Sequence, residues 1–108
     1  MNKDGFYNTA VSPQSLLDGQ MISLELAGKA ILLTRYQGEV MALAGRCPHA
    51  AARLDTGTLY RHKLTCPDHG YCFDIRNGRI LWPPDEAVRL RRYPVIEEDG
   101  VIKVKLLL

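Results

Sequence analysis

Two short stretches carry most of the chemistry this chain has to offer. Cys47-Pro48-His49 and Cys66-Pro67-Asp68-His69 form the pattern C-x-H, sixteen residues, C-x-x-H. Each presents one thiolate and one imidazole, so two loops can bring two sulfurs and two nitrogens to a metal centre. Soft thiolate with borderline imidazole selects zinc or an iron–sulfur cluster, and not calcium or magnesium. Zinc ribbons and fingers usually place like ligands close together, Cys near Cys or His near His. Here each stretch mixes the two types. Mixed stretches suit a binuclear [2Fe–2S] cluster in which one iron takes both thiolates and the other both imidazoles. A structural zinc held by Cys47, His49, Cys66 and His69 is the competing reading.

These loops need a frame, and the rest of the chain reads as strands. Turn signals recur at Asp18-Gly19, Gln37-Gly38, Asn77-Gly78 and Asp99-Gly100, with β-branched and aliphatic runs between them. That spacing predicts an all-β sandwich or barrel. Strands are expected at 5–10, 21–26, 29–36, 39–44, 63–65, 71–74, 79–81, 89–96 and 101–107, with one helical turn within 12–17. The strand at 39–44 delivers the chain to the first loop, and the strand at 63–65 delivers it to the second. The strand at 71–74 leads into Asn77-Gly78, a hairpin connection whose two central residues tolerate positive φ. Next comes Trp82-Pro83-Pro84, where two prolines remove two backbone donors and stiffen the crossover.

The stretch Cys47-Pro48-His49, Leu54, Gly57, Cys66-Pro67-Asp68-His69-Gly70-Tyr71-Cys72-Phe73-Asp74, Asn77-Gly78 and Pro83 resembles the Rieske-type ferredoxin family. The resemblance covers about residues 40–105 and continues in Tyr93-Pro94-Val95 and Asp99-Gly100-Val101, which are similar to that family's last hairpin. It implies an antiparallel β-sandwich with a small cluster-binding subdomain inserted at about 45–84. It also implies one [2Fe–2S] cluster per chain held by Cys47, His49, Cys66 and His69, with a proline loop at 82–84 covering the cluster from a third side. Pro48 and Pro67 would stiffen the ligand loops, and Gly70 would let the backbone pass close to the sulfides.

The chain departs from the cytochrome bc-type members of that family. Their two extra loop cysteines, joined by a disulfide, correspond to Ala52 and Asp68 here, so that bridge cannot form. Tyr71 stands where those proteins place a serine that hydrogen-bonds a bridging sulfide. Together these departures point away from the respiratory type and toward a low-potential, soluble one.

Composition narrows the class further. The 108 residues read as a single domain spanning 1–108. A formal net charge of +2 is too small to argue for nucleic acid. Met1-Asn2-Lys3-Asp4-Gly5 lacks the apolar core of a signal peptide, and apolar runs such as Ala30-Ile31-Leu32-Leu33 are too short to span a bilayer. With Cys47 and Cys66 read as ligands, only Cys72 is left of three cysteines, so no structural disulfide is expected, in keeping with a reducing cytoplasm.

The remaining candidates carry weaker signals. Cys72 beside the second loop suggests a redox role, but a free cysteine is more often a small buried residue. His62, between Arg61 and Lys63, reads as a solvated surface residue. Asp68 would lower the potential of a nearby cluster if its carboxylate faced it. Arg89, Arg91 and Arg92 read as a solvated strand edge, with a docking patch as the alternative.

The resemblance implies an electron carrier and not a catalyst. It would take one electron from a flavin- or NAD(P)H-dependent reductase and pass it to a terminal oxygenase, with no nucleic-acid or membrane partner. The mononuclear-iron catalytic domain of the oxygenases is not expected in a chain ending at Leu108. Two alternatives remain: the small subunit of a nitrite reductase-type complex, and a zinc-stabilised structural module.

Overall fold

The computed structural model describes residues 5–49 and 51–106. Its strands are β1 (Phe6–Asn8), β2 (Met21–Leu26), β3 (Lys29–Tyr36), β4 (Glu39–Ala44), β5 (Thr58–Tyr60), β6 (Lys63–Thr65), β7 (Cys72–Asp74), β8 (Ile80–Trp82), β9 (Arg92–Tyr93), β10 (Val95–Glu98) and β11 (Val101–Lys105). They form three antiparallel sheets, ordered β1-β11-β10, β2-β3-β4-β9 and β5-β6-β7-β8. The all-β expectation holds.

The middle sheet explains the sequence's longest apolar run. Successive side chains of a strand point to opposite faces, and here both faces are covered. Ile31 and Leu33 of β3, with Val40 and Ala42 of β4, pack with Ile102 and Val104 of β11. Leu32, Met41 and Leu43 point the other way and pack with Leu64 and Phe73 of the third sheet and with Ile75 just after β7. Cys47 and Cys66 belong to this second core, so the two loops that carry them are rooted where the third sheet meets the middle one.

Tight turns fix the registers. Ala27-Gly28, Gln37-Gly38 and Asp99-Gly100 each place two successive residues at positive φ, the geometry that matches the twist of paired strands. Strands β2, β3, β4 and β6 fall where the sequence puts them.

Three features differ from expectation. The single strand expected at 89–96 is two strands on different sheets, because β9 pairs with β4 and β10 with β11. Pro94 lies between them and has no N–H to continue either ladder, while its carbonyl still accepts from the Lys105 N–H at 2.9 Å. Strand β5 was not expected; only Leu59 of its three side chains turns inward, too short an alternation to read. The Asn77-Gly78 connection is not a two-residue turn, since only Gly78 has positive φ. Instead the Gly78 N–H closes a longer loop onto the Asp74 carbonyl at 2.7 Å.

Asp74 causes that longer loop. Its carboxylate is buried and accepts from the Arg76 backbone N–H at 2.9 Å and from Arg76 Nε and Nη2 at 3.0 and 2.8 Å. Hydrogen bonds from Arg76 hold its pKa below the ordinary carboxylate value, against the opposing effect of burial. A carboxylate depressed in the folded state stabilises the protein above its unfolded pKa, near 3.9, and that contribution disappears as pH falls through the lower folded value. Asp74→Asn is therefore expected to lower the melting temperature at neutral pH by about 4 °C, the equivalent of one buried hydrogen bond at ~1 kcal/mol. The difference between parent and variant should close below about pH 4. Thermal melts across pH check this, and a constant difference down to pH 2 would contradict it.

Candidate metal centre

The first loop leaves β4 through Gly45, whose N–H donates to the Ala30 carbonyl at 2.9 Å. An antiparallel bridge between Arg46 and Arg53 closes its base. Inside it the Cys47 N–H donates to the Ala52 carbonyl at 2.9 Å, and the Ala51 N–H to the Cys47 carbonyl at 2.8 Å. The second loop leaves β6 and returns as β7, with the Cys66 N–H donating to the Tyr71 carbonyl at 2.7 Å. His69 and Gly70 both have positive φ, 67° and 72°, the same left-handed pair as in the tight turns of the frame. That pair places His69 at the loop tip. A Cβ at Gly70 would meet nothing within 4 Å, so its role visible here is conformational and not one of close approach.

Both loops bury their cysteines and expose their histidines. Cys47 is 2% and Cys66 1% exposed, whereas His49 and His69 are both exposed. Both thiols lie in the same core cluster, and Cys47 is near enough to act on the ionisation of Cys66. The two imidazole rings lie 5.4 Å apart, centre to centre, edge to face. The pattern of one Cys and one His per loop becomes a Cys–Cys pair beneath a His–His pair. That sorting of donors fits a two-iron cluster with unlike irons.

Burial pushes the Cys66 thiol pKa up, the nearby Cys47 adds to the rise, and the Asp68 backbone N–H opposes it by donating to Cys66 Sγ at 3.4 Å. Thiols so placed ionise when a metal supplies the compensating charge. The exposed Asp68 thus contributes a backbone donor to the sulfur, in addition to its carboxylate.

A feature absent from the motif lies on His49. The Tyr71 ring stacks on the imidazole at 3.9 Å with 11° between planes. Its hydroxyl donates to Glu86 Oε1 at 3.2 Å, and Trp82 meets the ring edge to face at 6.4 Å. Trp82 itself is 52% exposed. The sequence singled out Tyr71 for the serine it displaces, but no spacing rule pairs it with His49.

The secondary candidates take modest places. Cys72 is half-buried, its Sγ 3.4 Å from Thr65 Oγ1 and donating to the Gly70 carbonyl at 3.3 Å, and it lies outside the Cys47–Cys66 pair. His62 is half-buried and meets the edge of Tyr36 at 6.4 Å, more enclosed than a solvated surface residue. Arg89 Nη2 donates to the Asn77 carbonyl at 2.9 Å, and Arg91 lies over the Tyr93 ring.

Known proteins resemble this chain in sequence and in fold. The chain is 30% identical over 97 residues to the ferredoxin component of the naphthalene 1,2-dioxygenase system of Pseudomonas putida, covering 90% of this chain and 92% of that one. It is 41% identical over 72 residues to apoptosis-inducing factor 3 of Mus musculus, 67% of this chain but only 12% of that much longer relative. In three dimensions it superposes on the ferredoxin of carbazole 1,9a-dioxygenase from Nocardioides aromaticivorans IC177 with a TM-score of 0.82 at 26% identity, covering 93% and 96% of the two chains. The family model described as the Rieske [2Fe-2S] domain matches residues 7–94, and with thiols below and imidazoles above in the two loops it spans, the chain belongs to the Rieske [2Fe-2S] domain family.

Proposed function

We propose that Cys47, His49, Cys66 and His69 hold one [2Fe–2S] cluster and that the chain carries single electrons between a reductase and a terminal oxygenase. The observation that carries this reading is the buried Cys47–Cys66 pair beneath the exposed, adjoining rings of His49 and His69. When bound, a cluster of this type supplies one-electron transfer without bond chemistry of its own. The chain's residues do the rest. Cys47 and Cys66 anchor the inner side in the core, while His49 and His69 form the surface through which a partner is met. The donor is a flavin- or NAD(P)H-dependent reductase, the acceptor an oxygenase of the kind served by the ferredoxin relatives, and the compartment the cytoplasm. No helix among the described residues is long and apolar enough to cross a membrane.

The potential should lie at the low end of the Rieske range, which runs from about −150 to +300 mV. The Tyr71 hydroxyl is engaged with Glu86 and gives no hydrogen bond in place of the serine. Ala52 and Asp68 provide no disulfide brace. The opposing influence is the Asp68 N–H on Cys66 Sγ, a long contact at 3.4 Å. Voltammetry at neutral pH checks this, and a midpoint above about +100 mV, in the upper half of that range, would refute it.

The functional test is reconstitution with the purified reductase and oxygenase of an aromatic-ring dioxygenase system. NADH oxidation coupled to product is expected only when this chain is present with its iron. Electron acceptance from the reductase without delivery to the oxygenase would overturn the assignment of the acceptor.

A further inference from the structure

We propose that Tyr71 is a positioning residue for His49, clamping one of the two histidines and leaving the other free. The inference rests on His49 being a ligand, and it goes beyond that reading by making the two imidazoles inequivalent. Centroids 3.9 Å apart and planes 11° apart place the Tyr71 ring flat over the imidazole. Rotation of the His49 ring would have to displace the tyrosine.

The tyrosine is itself held on two sides. Its hydroxyl donates to Glu86 Oε1 at 3.2 Å, and Trp82 lies against the ring at 80°. Glu86 reaches this position from the turn that follows the two prolines, where its N–H approaches the Pro83 carbonyl at 3.5 Å. Pro83 and Pro84 have no N–H of their own and restrict the backbone on either side, which gives that turn its stiffness. The loop that follows the prolines therefore reaches His49 through Glu86 and Tyr71. Among the described aromatic rings His69 has an edge-to-face contact with His49 alone, and it sits at a loop tip at positive φ. Among the described aromatic rings, no other stacks on it.

Two physical effects follow for a bound cluster. The stacked ring keeps water from one face of the His49 imidazole, and solvation of that face would favour the reduced, more negative state. The electron-rich face of the tyrosine also opposes added negative charge beneath it. Both effects lower the potential, so removing the ring should raise it. The clamp also fixes the His49 plane, which sets the nitrogen couplings seen by pulsed EPR.

The test uses the iron-loaded protein and compares Tyr71→Leu and Tyr71→Phe with the parent. Iron content and far-UV circular dichroism establish that each variant is folded and loaded. In the reduced Tyr71→Leu protein, one of the two histidine nitrogen couplings is expected to change and broaden while the other holds, and the midpoint should rise. Tyr71→Phe keeps the stack and loses only the hydroxyl, so its couplings should match the parent. A loaded Tyr71→Leu protein with parental couplings and midpoint would overturn the proposal. Should Tyr71→Leu fail to keep its iron, Tyr71→Phe decides. Parental couplings there support the stack, and altered ones show that the hydroxyl matters in place of the ring and overturn it. Failure of the ligand reading looks different, because His49→Ala would then retain two irons.

Discussion

Cys66→Ser is expected to leave a chain that folds but binds no iron, and Cys47→Ser and His69→Ala the same, whereas Cys72→Ser keeps two irons and two acid-labile sulfides. The argument begins with ligand softness. A serine oxygen does not replace thiolate for iron and sulfide, and at a site 1% exposed no water can enter to complete the coordination. Cys66 also sits between two fixed points, the Tyr71 carbonyl that accepts its N–H and the Asp68 N–H that meets its sulfur. Neighbouring groups cannot move in to substitute. Cys72 lacks that geometry, because its Sγ is occupied with Thr65 and the Gly70 carbonyl.

The fold should survive because Ile31, Leu33, Val40, Ile102 and Val104 form a core without either ligand loop. Stability should fall all the same, since a group bound only by the native state adds its binding energy to folding. Iron and sulfide analysis with EPR of the reduced proteins checks the series. Retention of the visible spectrum by Cys66→Ser and its loss in Cys72→Ser would mean that the ligand set is wrong. One zinc per parental chain with no EPR signal would favour the zinc module.

The Cys47, His49, Cys66 and His69 pattern stands out in the sequence because its signal is local. Two short stretches with unusual side chains at fixed offsets need no knowledge of distant contacts. The four-strand agreement at β2, β3, β4 and β6 has a similar origin, in apolar runs bounded by turns such as Gln37-Gly38. What escaped is tertiary. Pro94 was read inside one strand because nothing local shows that β9 and β10 serve different sheets. The loop after β7 departs from a two-residue turn because the Asp74 carboxylate captures Arg76 donors and stabilises a longer turn than Asn77-Gly78 alone would make. Tyr71 reaches His49 across 22 residues of sequence, and only the docking of the two loops brings the rings together.

Gly57→Ala should disrupt cluster binding although residue 57 is not a ligand. Its φ of −82° suits any residue, so the constraint is one of space and not of backbone freedom. A Cβ there would overlap the Thr65 carbonyl oxygen and come within 3.1 Å of Pro67 Cδ. Thr65 and Pro67 flank Cys66, so the added methyl pushes on the chain from both sides of a thiol. Gly57 cannot retreat freely, because its N–H donates to the Leu54 carbonyl at 3.0 Å and the Leu54 N–H donates to the Gly45 carbonyl at 3.0 Å, at the root of the first loop. The glycine is thus the spacer between the two ligand loops. Overpacking of this kind costs about 1–3 kcal/mol, but the larger effect falls on the metal, since ligand distances tolerate only about 0.2 Å. Iron occupancy is expected to fall severalfold. Gly28→Ala is the control. Its φ of +80° makes alanine strained there, while the space around it is open and β2 and β3 carry no ligand. Left-handed strain costs roughly 1–2 kcal/mol, so the two variants should lose similar melting temperature, yet only Gly57→Ala should lose iron. Equal iron in both would show that the second loop yields to the methyl without moving Cys66, and that the distance between the loops is set by the metal and not by the chain.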